Sequence, residues 1–169
     1  MSIHSSNPFL DPSPDQARRL RGRLGGAVSL WTSGSGPGRA GLTVSSIMVA
    51  TGEPAQVVAL VDPDGDLLAA LTDTGRAVVQ LLEWRHRQLA EMFAGQAPAP
   101  GGMFAQATFV ETDWGPLLEG AGTWAGVALD DSRVLGWSQL VQCTVEHLVV
   151  GPDSEPLLHR RGRYERPAG

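Results

Sequence analysis

Lysine is absent. All 13 basic residues of this 169-residue chain are arginine, which excludes chemistry that needs a lysine amine, such as the Walker-type phosphate loop and the lysine Schiff base. Cysteine is almost absent: Cys143 stands alone, so no internal disulfide can form, and no Cys/His cluster has zinc-ligand spacing. Long apolar runs are missing, so no segment is expected to enter a membrane. The opening MSIHSSNPFLDPSPDQARRL lacks the apolar core of a secretory signal, and a cytoplasmic protein is the expectation. Nor is there an excess of basic charge. With 18 acidic residues the net charge is −5, which argues against a general nucleic-acid binder. What is present is enough chain for one domain with a proper core: a flexible segment over residues 1–12, then a single domain over 13–166.

Hydrolytic and calcium chemistry find no footing. No G-x-S-x-G nucleophile elbow occurs, and no histidine has a triad context. DPDGD, Asp62 to Asp66, opens like a calcium loop, but its glycine comes too early and the bidentate acid at the twelfth position is missing. A turn followed by a helix cap is expected there. GPGRAG, Gly36 to Gly41, spells the dinucleotide fingerprint G-x-G-x-x-G, which works only where a strand enters the turn and a helix leaves it. AVSLW (Ala27 to Trp31) reads as the strand, but LTVSSIMVA (Leu42 to Ala50) alternates β-branched residues and has no helix start. The glycines are therefore read as a hairpin connection.

Periodicity supplies the remaining elements. SPDQARRLRGRLGG carries a helix start, with Ser13 as N-cap, Pro14 at the first position, Gln16 completing a capping box and Gly25 as the stop. Its Ala17, Leu20 and Leu24 share one side, and Arg18, Arg19, Arg21 and Arg23 are read as a solvated face. AVSLW, LTVSSIMVA and QVVALV (Gln56 to Val61) are strands separated by turn-rich segments. DLLAALTD is a short helix with Asp66 as N-cap, RAVVQLL (Arg76 to Leu82) a strand, and EWRHRQLAEMFAG a second helix stopped at Gly95. QAPAPGG is a loop, and FVETDWGPLLEGAGTW an irregular region. WAGVAL and LVQCTVEHLVV are strands joined through DDSRVLGWSQ, with Cys143 as a small buried hydrophobe. PLLHRRGRYERP closes the chain as a short strand or hairpin. Several strands with few short helices predict a mainly β fold, a barrel, rather than βαβ units.

Among the histidines, His4, His86 and His147 are read as solvated or hydrogen-bonded side chains. His159 differs, because HRRGRY sets it beside three arginines and a tyrosine. Such a cluster can hold a phosphate or an anionic cofactor through bidentate guanidinium contacts; an exposed basic tail is the other reading.

Taken together, GGAVSLWTSGSGPGRAGLTVSS, GRAVVQLLEWRHRQLAEMFAG, GPLLEGAGTW and EPLLHRRGRY resemble, in order and spacing, the flavin reductase-like family of FMN-binding split barrels. The resemblance spans about Gly25 to Tyr164. It implies an antiparallel, Greek-key split barrel that forms a homodimer with FMN, or FAD, at the subunit interface. NADH or NADPH would be the co-substrate, and a flavin-dependent monooxygenase the partner that takes the reduced flavin. By position, Thr43, Val44, Ser45 and Ser46 would lie along the flavin. Val61 would lie at the end of the third strand beside it, and Gln80 would stand where the family's next strand carries an asparagine. His159 would be on the nicotinamide side, as the residue nearest the chemistry. The family's phosphate segment reads VDPDGDLL here, so Asp62, Asp64 and Asp66 would repel a phosphate unless Arg39 or Arg161 compensated. The Gly-Asp-His turn of the family reads GWSQ, Gly136 to Gln139, without the histidine, and the following Gly-Glu corresponds to Cys143 and Thr144. These departures leave a second reading open: a split-barrel binding module that does not act as a reductase and takes another flavin, a deazaflavin, haem or a protein partner.

Overall fold

The computed structural model describes residues 13–168, with side chains from residue 16 onward. The expected segment 1–12, with His4, and the capping side chains of Ser13 and Pro14 lie outside the described residues. The described residues start with α1 (Ser13–Leu24), which ends at Gly25 with a backbone φ of +62°. Then come β1 (Gly26–Ala27), β2 (Ser29–Ser33), β3 (Ala40–Val44), β4 (Ile47–Ala50) and β5 (Gln56–Val61). The helix α2 (Asp66–Thr74) leads to β6 (Arg76–Leu81), and a 3-10 turn at Trp84–His86 feeds α3 (Arg87–Phe93). β7 (Phe109–Glu111) and β8 (Pro116–Leu118) form a small hairpin, followed by β9 (Trp124–Leu135), β10 (Ser138–Val149), β11 (Leu158–Arg160) and β12 (Arg163–Glu165).

Seven strands form one antiparallel sheet in the order β3-β2-β6-β9-β10-β5-β4. Its two edge strands, β3 and β4, are joined only by Ser45 and Ser46. Three peptide steps span at most about 11 Å, so the edges must meet and the sheet must curl. The result is a barrel split between β3 and β4, and the Ser45-Ser46 link sits at the split. Local bonds fix this closure: Ser29 Oγ donates to the Val44 carbonyl at 2.7 Å, and the Leu60 amide donates to the Ser46 carbonyl at 3.0 Å.

Strand parity distributes the core. On one face of β2 and β6, Trp31, Ala77 and Val79 join Val57, Ala59, Val61, Val127, Val141 and Cys143, with Leu67 and Leu71 of α2 packed against them. On the other face, Val28 and Leu30 join Leu89, Ala90 and Phe93 of α3, together with Leu118 and Leu157. β2 is consequently buried on both sides, as is Gln80 of β6. Gly41 permits this second layer, since a Cβ there would lie 2.6 Å from the ring of Phe93. Burial and the nearby Asp130 carboxylate push the Cys143 thiol up to about 12, which keeps it protonated and inert.

Several expectations are corrected. LTVSSIMVA is two strands on opposite sheet edges. The helix from Asp66 is preceded by Gly65 as its N-cap residue, while Asp62 accepts the Asp64 amide in a tight turn at 2.9 Å. The region from Phe109 contains a hairpin, and DDSRVLGWSQ is mostly strand. β9 and β10 run twelve residues each around Gly136 and Trp137. Polar cross-strand bonds sustain that ladder where apolar alternation fades: Gln139 Nε2 donates to Ser132 Oγ at 2.7 Å and Thr144 Oγ1 donates to Asp130.

Candidate functional site

A cleft of about 1080 Å³ opens along the barrel split. A pocket for one drug-sized ligand occupies roughly 300–1,000 Å³, so this one has room for a large or a second occupant. The split itself supplies Thr43, Val44, Ser45, Ser46 and Ile47. Val58, Leu60 and Val61 of β5 and Leu140 of β10 add apolar surface, and His159 and Arg161 enter from the C-terminal hairpin. The sequence-expected residues Thr43, Val44, Ser45, Ser46, Val61, His159 and Arg161 are thus brought together.

Their roles differ with their bonds. Val44 and Val61 are each 3% exposed and form the boundary between cleft and core. Thr43 Oγ1 donates to the Ala90 carbonyl at 2.7 Å and ties β3 to α3. The hydroxyls of Ser45 and Ser46 have no such tie among the described residues, so they can meet the polar edge of a ligand. His159 packs edge-on against Tyr164, with ring centroids 5.4 Å apart. Burial, with a smaller contribution from Glu91, raises the Tyr164 pKa. The Tyr164 phenol therefore stays neutral and holds the imidazole in place through the ring contact.

Two expected residues are elsewhere. Gln80 faces away from the cleft, because Val79 takes the inward position of β6. The Gln80 Nε2 donates to the Leu30 carbonyl at 3.2 Å and to Thr32 Oγ1 at 3.0 Å, and its Oε1 accepts the Leu118 amide at 2.7 Å. Its amide is consumed in joining β2, β6 and β8. Arg39 leaves the glycine turn on the α3 side and stacks over Phe104, 4.7 Å from the ring centroid. It therefore cannot offset the aspartates. Of those, Asp62 alone lines the cleft; Asp64 and Asp66 do not.

α1 adds a neighbour that the sequence reading did not assign. Arg18, Arg19, Arg21 and Arg23 are exposed, as the solvated face expected of them, and that face also borders the cleft together with Arg161. α1 is held there by the C-terminal hairpin, whose Arg161 amide donates to the Gly22 carbonyl at 2.8 Å. The junction is close-packed, since a Cβ on Gly25 would lie 2.9 Å from the His159 carbonyl oxygen. One signal in the sequence pointed this way: Arg21 and Arg23 have no acidic residue three or four positions away to pair with on the helix surface.

Outside the cleft, His86 Nδ1 accepts the Glu83 amide at 3.0 Å in a reciprocal cap of the turn before α3. His147 stacks on Trp114, whose Nε1 donates to Glu146 at 2.9 Å. No group of metal-ligating side chains is assembled among the described residues, and no described helix is long and apolar enough to cross a membrane.

Comparison with known proteins gives the family and the fold. Residues 21–168 match the family model of the flavin reductase like domain. The chain is 31% identical over 155 residues to the FMN reductase (NADH) RutF 2 of Methylorubrum extorquens (strain PA1), covering 88% of this chain and 86% of that one. Among solved structures it is similar to the NADH:FAD oxidoreductase SgcE6 of Streptomyces globisporus C-1027. That likeness has a TM-score of 0.82 at 25% identity, over 96% of this chain and 95% of that one. The nitrilotriacetate monooxygenase component B homolog from Mycobacterium thermoresistibile shares the fold, with a TM-score of 0.82 at 21% identity over 93% and 88% of the two chains.

Proposed function

Because the chain belongs to the flavin reductase-like family, we propose that it is an NAD(P)H:flavin oxidoreductase whose cleft takes FMN, or FAD, and NADH or NADPH. The observation that carries this reading is the construction of the split. A flat ring system with polar edges requires an apolar wall and a few fixed donors. The wall is available in Val58, Leu60 and Leu140, and the hydroxyls of Ser45 and Ser46, unengaged among the described residues, stand beside it. When bound, the flavin supplies the hydride-accepting chemistry, and no protein acid or base is needed for that transfer. The chain's own part is to hold the ring against the split, to exclude water with its apolar wall, and to orient the second ligand beside His159.

Titrating the protein with FMN while following flavin fluorescence tests this assignment. Saturable quenching that weakens about three- to tenfold in a Ser45→Ala/Ser46→Ala double variant supports it, in line with the loss of two modest hydrogen bonds. Unchanged affinity in that variant counts against the split as the flavin wall.

The finer reading is a single domain over residues 13–166, acting in the cytoplasm as a homodimer and passing reduced flavin to a monooxygenase. Support for a second copy comes from exposed apolar side chains on the edge strand and on the hairpin arm: Met48 and Val49 of β4 are 69% and 65% exposed, and Val134 of β9 is 72% exposed. Such patches commonly mark interfaces. Sedimentation at micromolar concentration should give a dimer; a stable monomer would contradict the arrangement.

A further inference from the structure

The acidic turn after β5 leaves the phosphate of a nucleotide ligand without an obvious anchor there, yet the cleft is cationic along α1 and the C-terminal hairpin. Arg18, Arg19, Arg21, Arg23 and Arg161 line it against a single carboxylate, Asp62, in a chain whose net charge is −5. These arginines are exposed, and such a local concentration of positive charge beside a cleft attracts anionic ligands. Arg21 and Arg23 flank Gly22, whose carbonyl accepts the Arg161 amide at 2.8 Å, so three guanidinium groups start from backbone that is already joined. Among the described residues none of the three is paired with a carboxylate.

Arg161 carries a second observation. It is the only non-glycine residue at positive φ among the described residues, at 55°, followed by Gly162 at 77°. Paired positive values are those of the two-residue hairpin turn that favours Asn, Asp or Gly at the first place. An arginine there costs conformational energy that asparagine would reduce. Left-handed residues of this kind concentrate where a side chain is needed by a ligand.

We propose that Arg21, Arg23 and Arg161 form the phosphate-binding site of the cleft, relocated to the junction of α1 and the C-terminal hairpin. The site would take the terminal phosphate of the flavin nucleotide or the diphosphate of the nicotinamide dinucleotide. This inference rests on the flavin reading for its flavin arm, whereas its diphosphate arm is independent of it. Guanidinium groups suit either ligand, because their forked donors match phosphate oxygens.

Three titrations test it, with FMN, with riboflavin, which lacks the phosphate, and with ADP, which carries a diphosphate and no flavin. Arg21→Gln/Arg23→Gln is compared with Arg39→Gln/Arg133→Gln, which removes the same charge outside the cleft. The expected result is that the first variant loses at least about tenfold in FMN or ADP affinity, that riboflavin affinity moves less than twofold, and that the second variant matches the parent protein. A phosphate role for the flavin appears in the FMN arm and one for the dinucleotide in the ADP arm. Arg161→Asn should weaken the same ligand while leaving the melting temperature equal or higher, as relief of the left-handed arginine requires. Equal losses for FMN and riboflavin with ADP unaffected, or no loss in either variant, would overturn the site. Should the parent protein bind neither flavin, the flavin reading falls, and arginine-dependent ADP binding would still support the anion site. Absence of ADP binding in that case would overturn it.

Discussion

Two side chains show how one residue can be read for chemistry and turn out to serve structure. From a fully buried position, Gln80 donates to one carbonyl and one hydroxyl of β2 and accepts one amide of β8. Gln80→Leu leaves the Leu118 amide and the Leu30 carbonyl without their side-chain partner, and stability should fall by about 2–4 kcal/mol, measured by urea unfolding. FMN affinity of the folded variant should stay within twofold; a large loss would return Gln80 to the site. His86 gives a pH prediction. Burial, and then the Arg85 charge, hold it below its ordinary value of 6.5, in opposition to Glu83. It is therefore neutral when folded, with Nδ1 free to accept the Glu83 amide. Below pH 6.5 the unfolded chain takes up a proton that the folded chain resists, so stability is full above that value and declines as pH falls through the lower folded pKa. The melting temperature should drop between pH 7.5 and 5.5, and His86→Gln should flatten that slope. Equal slopes would contradict the assignment. Glu83 itself is held low chiefly by its hydrogen bond from Ser154, and its contribution is lost only below pH 4.5.

Elements were legible where pattern and packing agree. QVVALV is the strand β5 with no displaced boundary, because each inward residue, Val57, Ala59 and Val61, meets the core. LTVSSIMVA could not be resolved from its alternation alone. The break at Ser45-Ser46 arises from barrel closure, a long-range constraint that period-2 alternation does not encode. The arginines of α1 form the solvated face that helical periodicity gives, but periodicity does not give that face its neighbour; the neighbour is the C-terminal hairpin, more than 130 positions along the chain. For the same reason Gly41 gave no signal. It lets α3 approach β3, and Gly41→Ala would force the fully buried Phe93 ring to move. Such overpacking should cost about 1–3 kcal/mol in chemical denaturation, with the Thr43 to Ala90 bond loosened and FMN binding weakened alongside. An unchanged unfolding midpoint would show that the two layers can part at no cost.

At the scale of the whole molecule, the family motifs gave the fold and the split that holds the site, while the folded chain supplied the charge distribution. An acidic protein carries a cleft lined by five arginines and one carboxylate, and on the proposed phosphate site the uptake of anionic ligands should weaken with ionic strength. On the proposed function, this cleft brings a reduced nicotinamide and a flavin together. The disappearance of NADH absorbance, followed with the purified protein and with or without added FMN, tests this most directly. NADH alone should be oxidised slowly or not at all, and at many turnovers per protein once FMN is present, with slower turnover when Ser45 and Ser46 are both replaced by alanine. A protein that binds FMN tightly yet leaves both NADH and NADPH unoxidised would contradict that function, and would make the chain a flavin-binding module instead.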